Sequence, residues 1–184
     1  MNTTLDASQH LPKSSTTKRW LRRLPAILIL GFVSFRFFQL HNFKAPKQIQ
    51  PSNLSLESLD GSTMKPSTFS GKAIVLNYWA PWCPPCRLEV PWLQHLQNLH
   101  PKDLVVIGVV ADSEQYNQAQ AFMSSRGITY PLARETASLD QVVGAVAGLP
   151  TTFYIIPSGR VIHTTSGLTP EVLMKRYADD AVRN

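Results

Sequence analysis

An uncharged run of strand formers at residues 73–80, AIVLNYWA, leads without a loop into Trp82-Cys83-Pro84-Pro85-Cys86. The residues after it, LEVPWLQHLQNL, place their apolar side chains at helical spacing. Strand, turn and helix therefore follow one another directly, with two cysteines at the junction. A second continuous apolar run at residues 104–111, LVVIGVVA, has the pattern of a strand buried on both faces, which requires helices on both sides of a sheet. The remaining signals agree with a layered α/β domain. Asp60-Gly61 suits the turn of a small hairpin within residues 53–65, and residues 113–125 read as a helix capped by Asp112 or Ser113 and stopped at Gly127. A short strand is expected at residues 130–133 and a helix at 138–147. Residues 152–156 and 161–165 flank Pro157-Ser158-Gly159-Arg160 as a hairpin, and Thr169-Pro170-Glu171 opens a last helix with threonine as its cap.

The chain has only these two cysteines, three residues apart, too close to staple distant parts of a fold. The first turn of a helix carries free N–H groups and the positive end of the helix dipole, so Cys83 is the candidate nucleophile. Cys86, one turn on, is the candidate resolving thiol, which attacks a mixed disulfide at Cys83 and releases the product. Pro84 and Pro85 fit a first turn but each deletes an N–H, so moderate thiolate stabilisation is expected. Pro91 should kink the helix, and Trp79, Trp82 and Trp92 are candidates to frame the site.

NYWAPWCPPCRLEVP, with GLPTTFYIIPSGRVI downstream, resembles the TlpA-like branch of the thioredoxin superfamily over residues 54–181. The resemblance implies a three-layer α/β sandwich with a central mixed sheet. It implies a protein-disulfide oxidoreductase with no cofactor, exchanging disulfides with protein thiols in the periplasm and recycled by a membrane reductant or oxidant. Reduction is the favoured direction. By the same resemblance Pro150 is a cis-proline facing the cysteines, and Leu149 offers backbone groups to an extended substrate segment, with Trp82 as a further substrate contact. Asn77 stands where many thioredoxins carry a buried aspartate, and Glu89, one turn past Cys86, becomes the candidate acid-base residue that tunes the thiols.

The net charge of +6 belongs to the N-terminus: residues 1–50 hold eight Lys/Arg against Asp6 alone, whereas residues 51–184 hold ten against eleven acids. A nucleic-acid-binding face is therefore not expected. Residues 24–40 form a largely apolar run in which Arg36 is the one charge, about 25 Å long as a helix, preceded by Lys13, Lys18, Arg19, Arg22 and Arg23. This predicts a basic cytoplasmic segment at residues 1–23, an uncleaved single-pass anchor at 24–40 in the inner membrane, a spacer at 41–53, and an extracytoplasmic domain at 54–184. The rival class is a copper- or metal-binding envelope protein using the same cysteine pair. His10, His41, His95, His100 and His163 show no paired ligand spacing, and Arg87 stands where c-type haem attachment needs histidine, so no metal ligand set is assigned.

Overall fold

The computed structural model describes Gly31, Gln48, Ile49, Pro51 and residues 54–184 except Ala145. Two compact units divide the chain, Met1–Asn42 and Phe43–Asn184. The expected anchor at residues 24–40 apart from Gly31, the basic segment before it and most of the spacer lie outside the described residues. Among the described residues no helix is long and apolar enough to cross a membrane.

The second unit begins with a two-stranded hairpin, β1 (Leu56–Glu57) and β2 (Thr63–Met64), around the expected Asp60-Gly61 turn. Then come β3 (Ala73–Trp79), α1 (Pro84–Leu99), β4 (Leu104–Val110), α2 (Tyr116–Ser124), β5 (Leu132–Arg134), α3 (Ala137–Val143), β6 (Thr151–Ile155), β7 (Val161–Ser166) and α4 (Glu171–Arg183). The main sheet runs β5-β4-β3-β6-β7. β3 pairs in parallel with β4 and antiparallel with β6, so the sheet is mixed, as expected. Every residue of β3 and β4 is buried, which is why both read as continuous uncharged runs, apolar except for Asn77 and Gly108.

Alternation along the strands divides the core in two. Val75, Trp79, Val106, Val110 and Tyr154 face α1, α2 and α4, meeting Val90, Leu93 and Leu96, Ala119 and Met123, and Met174, Ala178 and Ala181. Ile74, Leu76, Tyr78, Ile107, Val109, Phe153 and Ile155 face the other way, onto Leu139 and Val143 of α3 and onto Ile49, Leu54, Leu56 and Phe69. Both cysteines belong to the first cluster.

Three expectations are corrected in detail. The segment after Asp112 starts as a 3-10 turn, Ser113–Gln115, before becoming α2, because the Asp112 carboxylate takes the Glu114 N–H at 3.1 Å. The third helix stops at Val143 rather than near residue 147, since Gly144 takes the left-handed φ of 85° and breaks the helical path. The last helix is capped by Pro170 rather than Thr169: the Thr169 hydroxyl bonds Gly167 instead, and its N–H is taken by Glu89.

The spacer also differs from a wholly unpacked segment. Ile49 is fully buried, its N–H bonds the Gly159 carbonyl at 2.7 Å, and Gln48 forms a bridge with Arg160. A Cβ on Gly159 would stand 2.4 Å from the Ile49 carbonyl oxygen, so glycine in this β6–β7 turn is what lets the incoming chain lie against it. An apolar residue among prolines and amides carried too little periodicity to reveal this seat from sequence.

Candidate active site

β3 ends at Trp79, and Ala80-Pro81-Trp82 turns the chain directly into α1. Cys83 is the N-cap residue of that helix, and its carbonyl accepts the first helical hydrogen bond, from Arg87 N at 3.1 Å. Pro84 and Pro85 have no N–H to offer, so Cys86 supplies the first amide of the turn and donates to Cys83 Sγ at 3.4 Å. The two sulfurs are joined as a disulfide, with Cα atoms 5.3 Å apart. Both cysteines are buried, with 4 % of Cys83 and 1 % of Cys86 exposed.

Pro150 stands at the same end of the sheet. β6 pairs with β3 so that Thr151 lies opposite Tyr78, which puts Pro150 level with the exit of β3 toward the cysteines. The Leu149–Pro150 bond is cis, as the resemblance implied. Leu149 packs against both cores, and Thr151 Oγ1 ties the loop back to the Gly148 carbonyl at 2.8 Å.

Trp82 is 60 % exposed beside Cys83, whereas Trp79 is buried against Phe122 and Trp92 is half-buried on the core. Of the three tryptophans, Trp82 is thus the one a docking partner can touch. Its ring is fixed by Nε1 donating to Asp112 Oδ2 at 3.1 Å, while Asp112 Oδ1 caps the turn beyond β4. Sequence reading assigned Asp112 only as a cap, since nothing in the spacing from 82 to 112 reveals that the two strand ends are neighbours.

Glu89 is buried outright, with 1 % exposure. Its Oε1 accepts from Thr169 N at 2.6 Å and its Oε2 has no partner. Loss of solvent pushes its pKa up to about 7, and the Thr169 N–H pulls it part of the way back. A carboxyl poised there exchanges a proton near neutrality. The Tyr130 hydroxyl, buried without a partner, is driven well above the ordinary phenol range by burial and then by the nearby Glu89 charge, as is Tyr154. Asn77 is buried too, donating to Thr152 Oγ1 at 2.8 Å and leaving Oδ1 unpaired. The sequence offered Tyr130 only as the start of a short strand and Thr169 only as a helix cap, because a buried phenol and a backbone N–H carry no motif.

Three histidines pair with carboxylates of α4, while His10 and His41 lie outside the described residues. His95 meets Glu171 at 2.8 Å, His100 meets Asp179 at 2.8 Å, and His163 meets Asp180 at 3.3 Å while stacking on Tyr177. Among the described residues no group of three or more His, Cys, Asp or Glu side chains is placed to hold a metal ion.

A redox-active cysteine pair opening a helix at the end of the central strand of a mixed sheet defines a thioredoxin-like thiol-disulfide oxidoreductase. Comparison with known proteins agrees. A thiol:disulfide interchange protein of the thioredoxin family from Chlorobium tepidum TLS superposes with a TM-score of 0.65 at 29% identity, covering 76% of this chain and 99% of its own. The thiol-disulfide oxidoreductase ResA of Bacillus subtilis is 33% identical over 127 residues, which is 68% of this chain and 70% of ResA. The thioredoxin-like protein YneN of the same organism is 28% identical over 167 residues, covering 88% and 98%. The Redoxin sequence profile matches residues 42–181, and the chain belongs to the Redoxin family.

Proposed function

We propose that this oxidoreductase is a TlpA-like enzyme held in the inner membrane by residues 24–40, with its domain in the periplasm, where it reduces disulfides of envelope proteins. The observation that carries the reading is the joined pair at a helix start: Cys83 is the N-cap beside exposed Trp82, and Cys86 lies on the same helix as a buried carboxyl. In the reduced enzyme the Cys83 thiolate attacks one sulfur of a substrate disulfide, forming the Cys83–substrate bond and releasing the other substrate sulfur as a thiolate that takes up a proton. Cys86 then loses its proton, with Glu89 as acceptor, and attacks Cys83 Sγ. The second substrate thiolate leaves, and the electron pair of the dithiol has passed to the substrate. What remains is the Cys83–Cys86 disulfide.

A membrane dithiol donor must then restore the reduced pair. The almost polar-free run behind five cations supports the anchor and its orientation. The reading is tested by expressing the full chain with Cys86→Ser, which stalls resolution and traps clients on Cys83. Envelope proteins bound through a reducible link, from membranes that retain the chain after carbonate extraction, are the expected result. Release of the full-length chain by carbonate, or traps that also form when Cys83 is serine, would defeat the proposal.

A further inference from the structure

We infer that Gly167-Leu168-Thr169 is a strap joining the Pro150 loop to Glu89, with Thr169 as the positioning residue of that carboxyl. Its two ends are backbone hydrogen bonds. Gly167 N donates to the Pro150 carbonyl at 2.8 Å, and two residues later Thr169 N donates to Glu89 Oε1 at 2.6 Å. Between them Leu168 is 50 % exposed, and Val172, the second residue of α4, is 77 % exposed. An apolar side chain left in water between two buried anchors is where a substrate segment lying along Leu149 and Pro150 next makes contact. A load placed on Leu168 by that segment reaches the single donor that holds the carboxylate form of Glu89.

No other group near Glu89 does this work. Tyr130, from the segment before β5, and Tyr154, on β6, are both destabilised as anions by its charge, and Cys83 and Cys86 share its helix. On α4, Glu171 is paired with His95, and Tyr177 stacks on His163. Among the described residues the Thr169 N–H is the one hydrogen-bond donor given to the carboxylate.

The link to catalysis rests on the dithiol reading above, but the strap has its own readout. The Glu89 carboxyl is titrated by carbon NMR in the oxidised full chain. Thr169→Pro removes the N–H, and Gly167→Ala disturbs the strap through its backbone alone, because Gly167 holds φ at 81° and a Cβ there meets nothing within 4 Å. Both raise the Glu89 midpoint, by about one pH unit for the lost charge-assisted bond. Thr169→Ala keeps the N–H and titrates as the parent does. If Thr169→Pro fails to fold, Gly167→Ala decides. An unmoved midpoint in the folded variants, or an equal shift in Thr169→Ala, overturns the strap. The second readout is the pH profile of Cys83 alkylation in the reduced protein, which should move downward as the carboxyl midpoint rises, because a carboxyl kept neutral to higher pH repels the thiolate less. A moved carboxyl with an unmoved thiol profile overturns the catalytic link. A protein inactive toward disulfides still reports the carboxyl titration, so the strap and the oxidoreductase reading fail separately.

Discussion

The two faces of the central sheet are packed to different standards. The face toward α3 and the hairpin is built from Ile74, Leu76, Ile107, Val109, Phe153 and Ile155, closed by Ile49, Leu54, Leu56 and Phe69. The face toward α1 and α4 is equally buried, yet it contains the disulfide, and Glu89 is the one charged residue among the described residues to be buried outright. It also keeps unpaired polar atoms: Asn77 Oδ1, Trp79 Nε1, Glu89 Oε2 and the Tyr130 hydroxyl. Each such atom costs about 1–3 kcal/mol, so the dithiol face is held below its best stability, and the apolar face supplies the surplus that permits it. Polar strain is not wholly one-sided, since Tyr78 on the apolar face also has a buried hydroxyl without a partner. Among the described residues a carboxyl buried outright is found on one face only, on the helix that carries Cys86.

That contrast is most sharply tested by separating chemistry from packing. Cys83→Ser should abolish disulfide exchange, lowering insulin reduction at least about a thousandfold by removing the attacking thiolate, while thermal unfolding of the reduced protein is barely changed. Retained turnover would mean the dithiol face is not where reaction occurs. Leu76→Ala, on the apolar face, should cost about 3 kcal/mol in denaturant unfolding through cavity formation, with exchange intact at low temperature. If it damages exchange before stability, the two faces are not functionally distinct.

Glu89→Gln tests the cost of the polar face directly. The carboxyl has its ordinary value near 4.5 in the unfolded chain and about 7 in the folded one. The folded state therefore binds more protons across that interval, and stability falls as pH rises from 4.5 to 7, then levels. Glutamine removes the slope, so at pH 8 the variant should be on the order of 2 kcal/mol more stable, in chemical denaturation followed across pH. A parallel slope in both proteins would reject the buried carboxyl. Gly159→Ala, at the edge of the apolar face, should cost about 1 kcal/mol and speed proteolysis near residues 41–53, because the added Cβ collides with the Ile49 carbonyl. Trp82→Phe is the smallest change. It removes the bond to Asp112 from an exposed ring, so unfolding should move by less than about 0.5 kcal/mol while the KM for a protein disulfide rises.

Much of this molecule was legible before its coordinates. The paired continuous runs that became β3 and β4 announced a sheet covered on both faces, and Cys83 and Cys86 at the strand-to-helix junction announced the site. What stayed hidden was contact between residues far apart in sequence. Nothing local tells that Thr169 gives its N–H to Glu89 across 80 positions rather than to a cap, or that Asp112 reaches Trp82. Ile49 was assigned to a spacer because burial of one apolar residue has no period. Glu89 was placed correctly on the turn after Cys86, but its depth depends on α4 closing over it, a matter of tertiary packing.

The seat of Ile49 on the β6–β7 turn also sets a line of mechanical transmission. Whatever the preceding residues are fastened to, a pull on them is delivered first to Gly159 and Arg160, at the end of β6 opposite to Pro150. Tension is borne by the edge hairpin and dissipated there. The cysteines stand at the other end of the sheet, level with Pro150 and away from that point of entry.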